Sequence, residues 1–255
     1  MTRNPRHDFV AAQYGPRAAA YVESITHSQG ADLDQIEALL TGWPQARVLD
    51  LGCGGGHVSL RAAPHVAEVV ACDVTPDMLD AVRRTAAARG LDNIQVREGA
   101  AEALPFEAAC FDVVLSRFSA HHWQDLEAGL REVRRVLRPD GLAVLIDTVA
   151  PEDPMLDTHL QAIELLRDAS HVRNFRLAEW VAALSRSRLP AHGLTCRRLP
   201  LEFASWIART RPDAVRVAAI HAIQDTAPVA ARAYFEVAGD GSFTIDTMTV
   251  LASPA

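Results

Sequence analysis

Two carboxylates, Asp50 and Asp73, close consecutive apolar runs, and the glycine loop Gly52-Cys53-Gly54-Gly55-Gly56 lies between them. Glycines let a chain turn sharply and bring its backbone close to a ligand with no Cβ in the way. A helix can start at residues 56–63, with its first amides pointing back at whatever the loop holds. Asp73 ends the second run, where its carboxylate can take both hydroxyls of a ribose. This is nucleoside-binding geometry, at the carboxyl ends of adjacent strands in an open α/β sheet. The loop is not of the dinucleotide type, because Asp50 would repel an approaching pyrophosphate. An acid at that point suits a ligand with a cationic amine.

Alternating elements must position these groups. The apolar runs predict strands over 47–51, 67–73, 94–98, 111–116 and 142–148. Helices are predicted between them over 56–63, 76–89 and 124–137, the last stopped by Pro139-Asp140-Gly141. Upstream, residues 8–30 predict one or two short helices carrying Phe9, Tyr14 and Tyr21. Asp32 can cap the next helix, which sets Leu33, Ile36, Leu39 and Leu40 on one face. Regular alternation of this kind predicts a parallel sheet with helices on both faces. Beyond Pro151 the pattern changes: 155–187 reads as helical, 194–203 as a strand, 212–235 as a helical pair and 242–251 as a final edge strand. The expected organisation is a helical lid over 1–45, a nucleoside-binding core over 46–150, and a region over 151–255 with helical insertions and the last two strands. Insertions near strand C-termini are where substrate selectivity resides.

Composition narrows the chemistry. The 255 residues are 49% hydrophobic, enough for a substantial core, and carry a net charge of −7. No basic tract offsets that charge, which argues against a nucleic-acid partner. The chain contains no lysine, so Schiff-base catalysis, a P-loop and Tyr-x-x-x-Lys chemistry are excluded. Cys53, Cys72, Cys110 and Cys196 show no paired spacing and read as reduced thiols in a cytoplasmic protein. Neither a membrane span nor a secretion signal is expected. His27, His159 and His171 share no metal-ligand spacing with nearby acids or thiols, so no metal is expected.

Four motifs in order resemble those of class I S-adenosylmethionine-dependent methyltransferases, and most closely the methyltransferase type-11 branch that includes the ubiquinone and menaquinone C-methyltransferases. They are Val48–Gly56; Asp73 with Val74-Thr75-Pro76-Asp77-Met78; Gly99–Phe106 followed by Phe111–Val114; and Leu137–Gly141. The resemblance covers residues 8–150 well and the remainder loosely. It implies a Rossmann-like α/β fold: a seven-stranded, mostly parallel sheet with helices on both faces and helical lid insertions. It implies S-adenosylmethionine as cofactor, with S-adenosylhomocysteine as product.

The same resemblance assigns roles. Asp50 would orient the loop and the methionyl amine, while Gly52, Cys53 and Gly54 form the loop itself. Asp73 would bind the ribose, with Val74 behind it and Met78 against adenine. Ala101 and Glu102 would border the adenine edge. Ser116 and Arg117 would face the methyl group and its acceptor. Tyr14 and Tyr21 would close a lid. Gly55 departs from the small hydroxyl residue often found at its place.

Arg117–Trp123 lies where methyl acceptors sit in this family. His122, or alternatively His121, could act as general base, because histidine titrates near neutral pH; capping or packing of the following helix is the competing role. Residues 170–175 could form an acceptor-pocket wall or a solvated loop. The expected reaction is in-line transfer to a small, cyclic or aromatic metabolite, with a homodimer left open. Two other readings stand beside it: an NAD-dependent Rossmann oxidoreductase, and a non-catalytic S-adenosylmethionine-binding protein.

Overall fold

The computed structural model describes residues 5–15 and 30–255. Tyr21 and His27 lie outside the described residues. One seven-stranded sheet organises the chain, in the order β3-β2-β1-β4-β5-β7-β6. Its strands are β1 (Arg47–Leu51), β2 (Glu68–Asp73), β3 (Ile94–Glu98), β4 (Phe111–Arg117), β5 (Leu137–Val149), β6 (Ala191–Leu201) and β7 (Phe243–Ala252). The first five pair in parallel, and β7 runs antiparallel to both β5 and β6. The predicted mostly parallel sheet is therefore present. The prediction of β7 as the edge strand is corrected: β7 lies inside the sheet, its residues buried nearly throughout, and the more polar β6 forms the edge.

Helices cover both faces: α1 (Pro5–Tyr14), α2 (Ala31–Leu40), α3 (His57–Ala62), α4 (Pro76–Ala88), α5 (Leu126–Val136), α6 (Pro154–Arg167), α7 (Leu177–Arg186), α8 (Phe203–Thr210), α9 (Ala214–Asp225) and α10 (Val229–Tyr234). Their starts follow local chemistry. Asp125 caps α5 by accepting from the Ala128 amide at 2.9 Å, and Asp153 caps α6, whose first residue is Pro154. On α5, Leu126, Leu130 and Val133 recur on one face and pack with Leu49, Val70 and Val114 on one side of the sheet. The other side joins Val48, Val69 and Val113 to Leu33, Ile36 and Leu40 of α2. Buried on both faces, the central strands carry near-continuous apolar runs such as Val48-Leu49 and Val113-Val114-Leu115.

Three local expectations change. Gly30 caps α2 with no side-chain bond, and Asp32, inside the helix, is committed instead to Arg117. The chain passes from α5 straight into β5, so Pro139-Asp140-Gly141 sits in a register shift at the start of that strand. The helical stretch 155–187 is two helices, broken between Asp168 and Arg176. Strand order reverses between β1 and β4, and their carboxyl ends open a crevice at that point.

Candidate active site

The crevice is a cavity of about 360 Å³ with two lobes. One lies over the carboxyl ends of β1 and β2. The other extends across β5, β7 and β6 beneath the inserted helices.

In the first lobe the glycine loop is held by β2. The amides of Gly52 and Cys53 both donate to the Cys72 carbonyl, at 2.8 and 3.0 Å. Gly52 has φ +70°, and a Cβ there would stand 1.8 Å from Ser119 Oγ, so the loop packs directly on the turn after β4. The buried Asp50 carboxylate accepts from the Ser59 amide (2.9 Å) and hydroxyl (2.6 Å), both at Oδ2. Among the described residues its Oδ1 accepts no hydrogen bond. Burial raises the Asp50 pKa to about 6 against those hydrogen bonds. Asp73 accepts the Gly54 amide on one oxygen and the Thr75 amide on the other, each at 2.9 Å. Burial pushes its pKa up, and these amides oppose the shift. Two carboxylates poised in a half-enclosed lobe fit a ligand that brings an ammonium and hydroxyl donors. Cys53, Val74, Met78, Ala101 and Glu102 also line the cavity. Met78 packs with Tyr14 and Ala81, while Glu102 Oε1 accepts the Gln124 amide at 2.7 Å. Tyr14 lines the cavity, and Phe9 is exposed.

Ser116 is not among the residues that line the cavity. It is 3% exposed, on the same side of β4 as Val114. Arg117 does reach the wall. Its guanidinium pairs with Asp32 at 2.5 Å and lies over the Phe118 ring. That pairing fastens α2 over the crevice and neutralises the charge.

His121 and His122 sit where the lobes meet, with ring centroids 4.3 Å apart. Their surroundings differ. His122 has both ring nitrogens engaged: Nδ1 lies 3.2 Å from both the Ser170 carbonyl and hydroxyl, and Nε2 lies 3.3 Å from the Tyr14 hydroxyl. Burial drives its pKa down to about 3, with His121 adding to the effect. Tyr14 donates to Asp168, which also accepts from the Ser170 amide and hydroxyl. Burial alone would raise the Asp168 pKa; the hydrogen bonds from Ser170 and Tyr14 and the neighbouring His122 ring oppose it and bring it below the usual carboxylate value. These contacts join α1 to the segment after α6.

His121 is arranged as a base would be. Its Nδ1 stands 2.6 Å from Asp147 Oδ1, and its amide donates to Oδ2 of the same carboxylate at 3.2 Å. An Nδ1–H bonded to Asp147 leaves Nε2 as the acceptor nitrogen of the neutral ring. Burial disfavours the charged ring, but Asp147 outweighs burial and raises the His121 pKa above its usual value. The sequence ranked His122 before His121; of the two rings, His121 is the one paired with a carboxylate on β5. Asp147 lies 26 residues away on β5, and no spacing rule joins it to His121.

The second lobe was largely missed by sequence reasoning. It is walled by Thr148, Asn174, Arg197, Leu199, Trp206, Ile245 and Thr247, among others. The segment after α6 contributes Asn174 to this wall, in keeping with the acceptor-wall alternative. The β6 residues gave one signal: Arg197, Leu199 and Leu201 alternate at period two, a strand face that turns inward.

The chain matches the methyltransferase domain family over residues 49–145. It is 45% identical over 204 residues to the Escherichia coli uncharacterized protein YafE, spanning 80% of this chain and 99% of YafE. It is 37% identical over 196 residues to the Bacillus subtilis uncharacterized methyltransferase YcgJ, spanning 77% of this chain and 78% of YcgJ. The crystal structure of YcgJ superposes with a TM-score of 0.82, covering 87% of this chain and 98% of YcgJ. The matched family segment ends within β5, so the second lobe, built largely from later residues, lies mostly outside it.

Proposed function

Because this chain belongs to the class I S-adenosylmethionine-dependent methyltransferases, we propose that it methylates a small, cyclic or aromatic metabolite in the second lobe, with His121 as the general base. S-adenosylmethionine is its cofactor, and when bound it supplies an electrophilic sulfonium methyl. Asp50 would hold the amino-acid end and Asp73 the ribose. The loop backbone would approach the methionyl carboxylate, with Met78 and Ala101 against the base. His121 Nε2, oriented by Asp147, would take a proton from the acceptor as it is methylated. Closure beneath Tyr14 and the inserted helices excludes water and aligns the reactants, which can supply much of the rate. The observation that carries the reading is the His121–Asp147 pair in a cavity that runs from the glycine loop and Asp73 to Trp206. A recessed cavity of about 360 Å³ favours a metabolite over a macromolecular surface, as does the net charge of −7. Among the described residues no helix is long and apolar enough to cross a membrane.

The test separates cell extract by size. Filtrate depleted of macromolecules should support steady formation of S-adenosylhomocysteine by the protein, and the retained macromolecules should not. Activity confined to the macromolecular fraction would contradict the proposal.

Asp50 adds a pH dependence. An ammonium-bearing ligand favours the ionised carboxylate. Affinity for S-adenosylmethionine should therefore fall as pH drops below about 6, by up to about tenfold per pH unit. Asp50→Asn should remove this dependence. Titration calorimetry from pH 5 to pH 8 checks it, and a flat wild-type profile would remove Asp50 from the amine.

A further inference from the structure

We infer that the acceptor is an acid, a carboxylate- or phosphate-bearing molecule whose anionic group is held by Arg197 while a different atom is methylated. The inference rests on the methyl-transfer reading above and names its substrate class.

Arg197 is half-buried on the wall of the second lobe. Its guanidinium is fixed by two neutral acceptors: Nη1 donates to Thr249 Oγ1 at 2.8 Å and Nη2 to Gln35 Oε1 at 2.6 Å. Among the described residues, no carboxylate stands within 4.0 Å of it. Of the four other arginines lining the cavity, Arg117, Arg167 and Arg198 are paired with Asp32, Glu164 and Asp246, while Arg209 lines it from α8. Neutral acceptors orient the Arg197 charge without cancelling it. A charge drawn away from water in this way calls for a counter-ion. A guanidinium offers five N–H donors in a planar fork, so donors remain for an incoming carboxylate or phosphate.

The neighbouring row gives the acceptor a second anchor. Arg197 pairs with Thr247 in register, and Thr247 with Thr148. A parallel bridge between Ala150 and Arg176 sets the segment that carries Asn174 beside the end of β5, where β4 has already stopped. Asn174, Thr148, Thr247 and Arg197 thus span the floor, and all four line the cavity. Asn174 is 2% exposed, and among the described residues its Nδ2 has no hydrogen-bond partner. A buried amide without a partner is costly, and a ligand oxygen would satisfy it. Above this row, Leu199 pairs with Ile245, and Trp206 closes the wall, giving an apolar surface for the body of the molecule. Three strand spacings separate β4 from β6, about 14 Å between axes. Even with the reach of an arginine, the acid lies away from the His121 end of the lobe. It serves as a handle, and the product keeps its negative charge.

The test uses the intact protein with methyl-labelled S-adenosylmethionine. Protein-free extract of the source cells is first split on an anion-exchange resin into retained and flow-through pools. Label should enter a small molecule from the retained pool, and the labelled product should bind the resin again. With that pool limiting, Arg197→Gln should lower the initial rate about 10- to 100-fold, the loss expected for a charge-assisted hydrogen bond, and Arg197→Lys should restore part of it. Affinity for S-adenosylhomocysteine should not change in either variant. Label arising only from the flow-through pool would overturn the acid assignment and leave methyl transfer standing. A retained-pool rate indifferent to Arg197→Gln, or a parallel loss of S-adenosylhomocysteine affinity, would also overturn it. Label from neither pool would overturn both this inference and the small-molecule reading beneath it.

Discussion

Replacing Asp73 with alanine should weaken S-adenosylmethionine binding by about 10²- to 10⁴-fold, since two hydrogen bonds from ribose hydroxyls to a carboxylate are each worth about 1.5–3 kcal/mol. Asp73 is the one carboxylate at the end of β2 that lines the first lobe. It also braces the loop, accepting the Gly54 and Thr75 amides at 2.9 Å each. Loss of the brace alone would weaken every ligand of the lobe alike. Loss of the ribose contact would weaken only ligands that possess the diol. Calorimetry with adenosine and 2′,3′-dideoxyadenosine separates the two effects. The wild type should prefer adenosine strongly, and Asp73→Ala should show almost no preference between them. A preference retained in the variant would move the ribose elsewhere.

The second large effect concerns turnover. His121→Gln should lower kcat about 10²- to 10³-fold, within the range supplied by general-base catalysis, with little change in cofactor affinity. The pH profile carries the mechanism. A base must be deprotonated, and Asp147 raises the His121 pKa, so kcat should rise with pH through a pKa above 6.5. In Asp147→Asn, burial acts on the ring without an opposing carboxylate. The limb should then move to lower pH, while the plateau falls because the imidazole is no longer held in one tautomer. A histidine that merely packs the helix would leave the limb where it was. His122→Phe should act differently, loosening the Tyr14 and Asp168 contacts. It should raise the KM for cofactor more than it lowers kcat. An unchanged pH limb in Asp147→Asn, or a larger kcat loss at His122 than at His121, would reverse the assignment.

The first lobe was legible in the sequence because its parts are local. Asp50, the glycine loop and Asp73 fall within 24 residues, and each sits where an apolar run meets a turn. The parallel sheet was legible for the same reason, in the buried runs of β1, β2, β4 and β5. What was hidden depends on register and on partners remote in sequence. Ser116 and Arg117 are adjacent, yet only Arg117 faces the cavity, and that parity is set by the pairing of β4 with β5. Asp32 looked like a cap until Arg117, 85 residues on, claimed its carboxylate. The two adjacent histidines could not be ranked without Asp147 on one side and Tyr14 and Ser170 on the other. Asn174 and Arg197 share a floor only because the segment after α6 takes the place of β4 beside β5. No periodicity encodes that.

The most direct test of the two-lobed site is a crystal structure of the protein with S-adenosylhomocysteine. The account predicts the ribose hydroxyls on Asp73, the amino group facing Asp50, and the sulfur turned toward His121, with the floor from Asn174 to Arg197 left open. Adenosine lying over β6 and β7, or a sulfur turned away from His121, would contradict it.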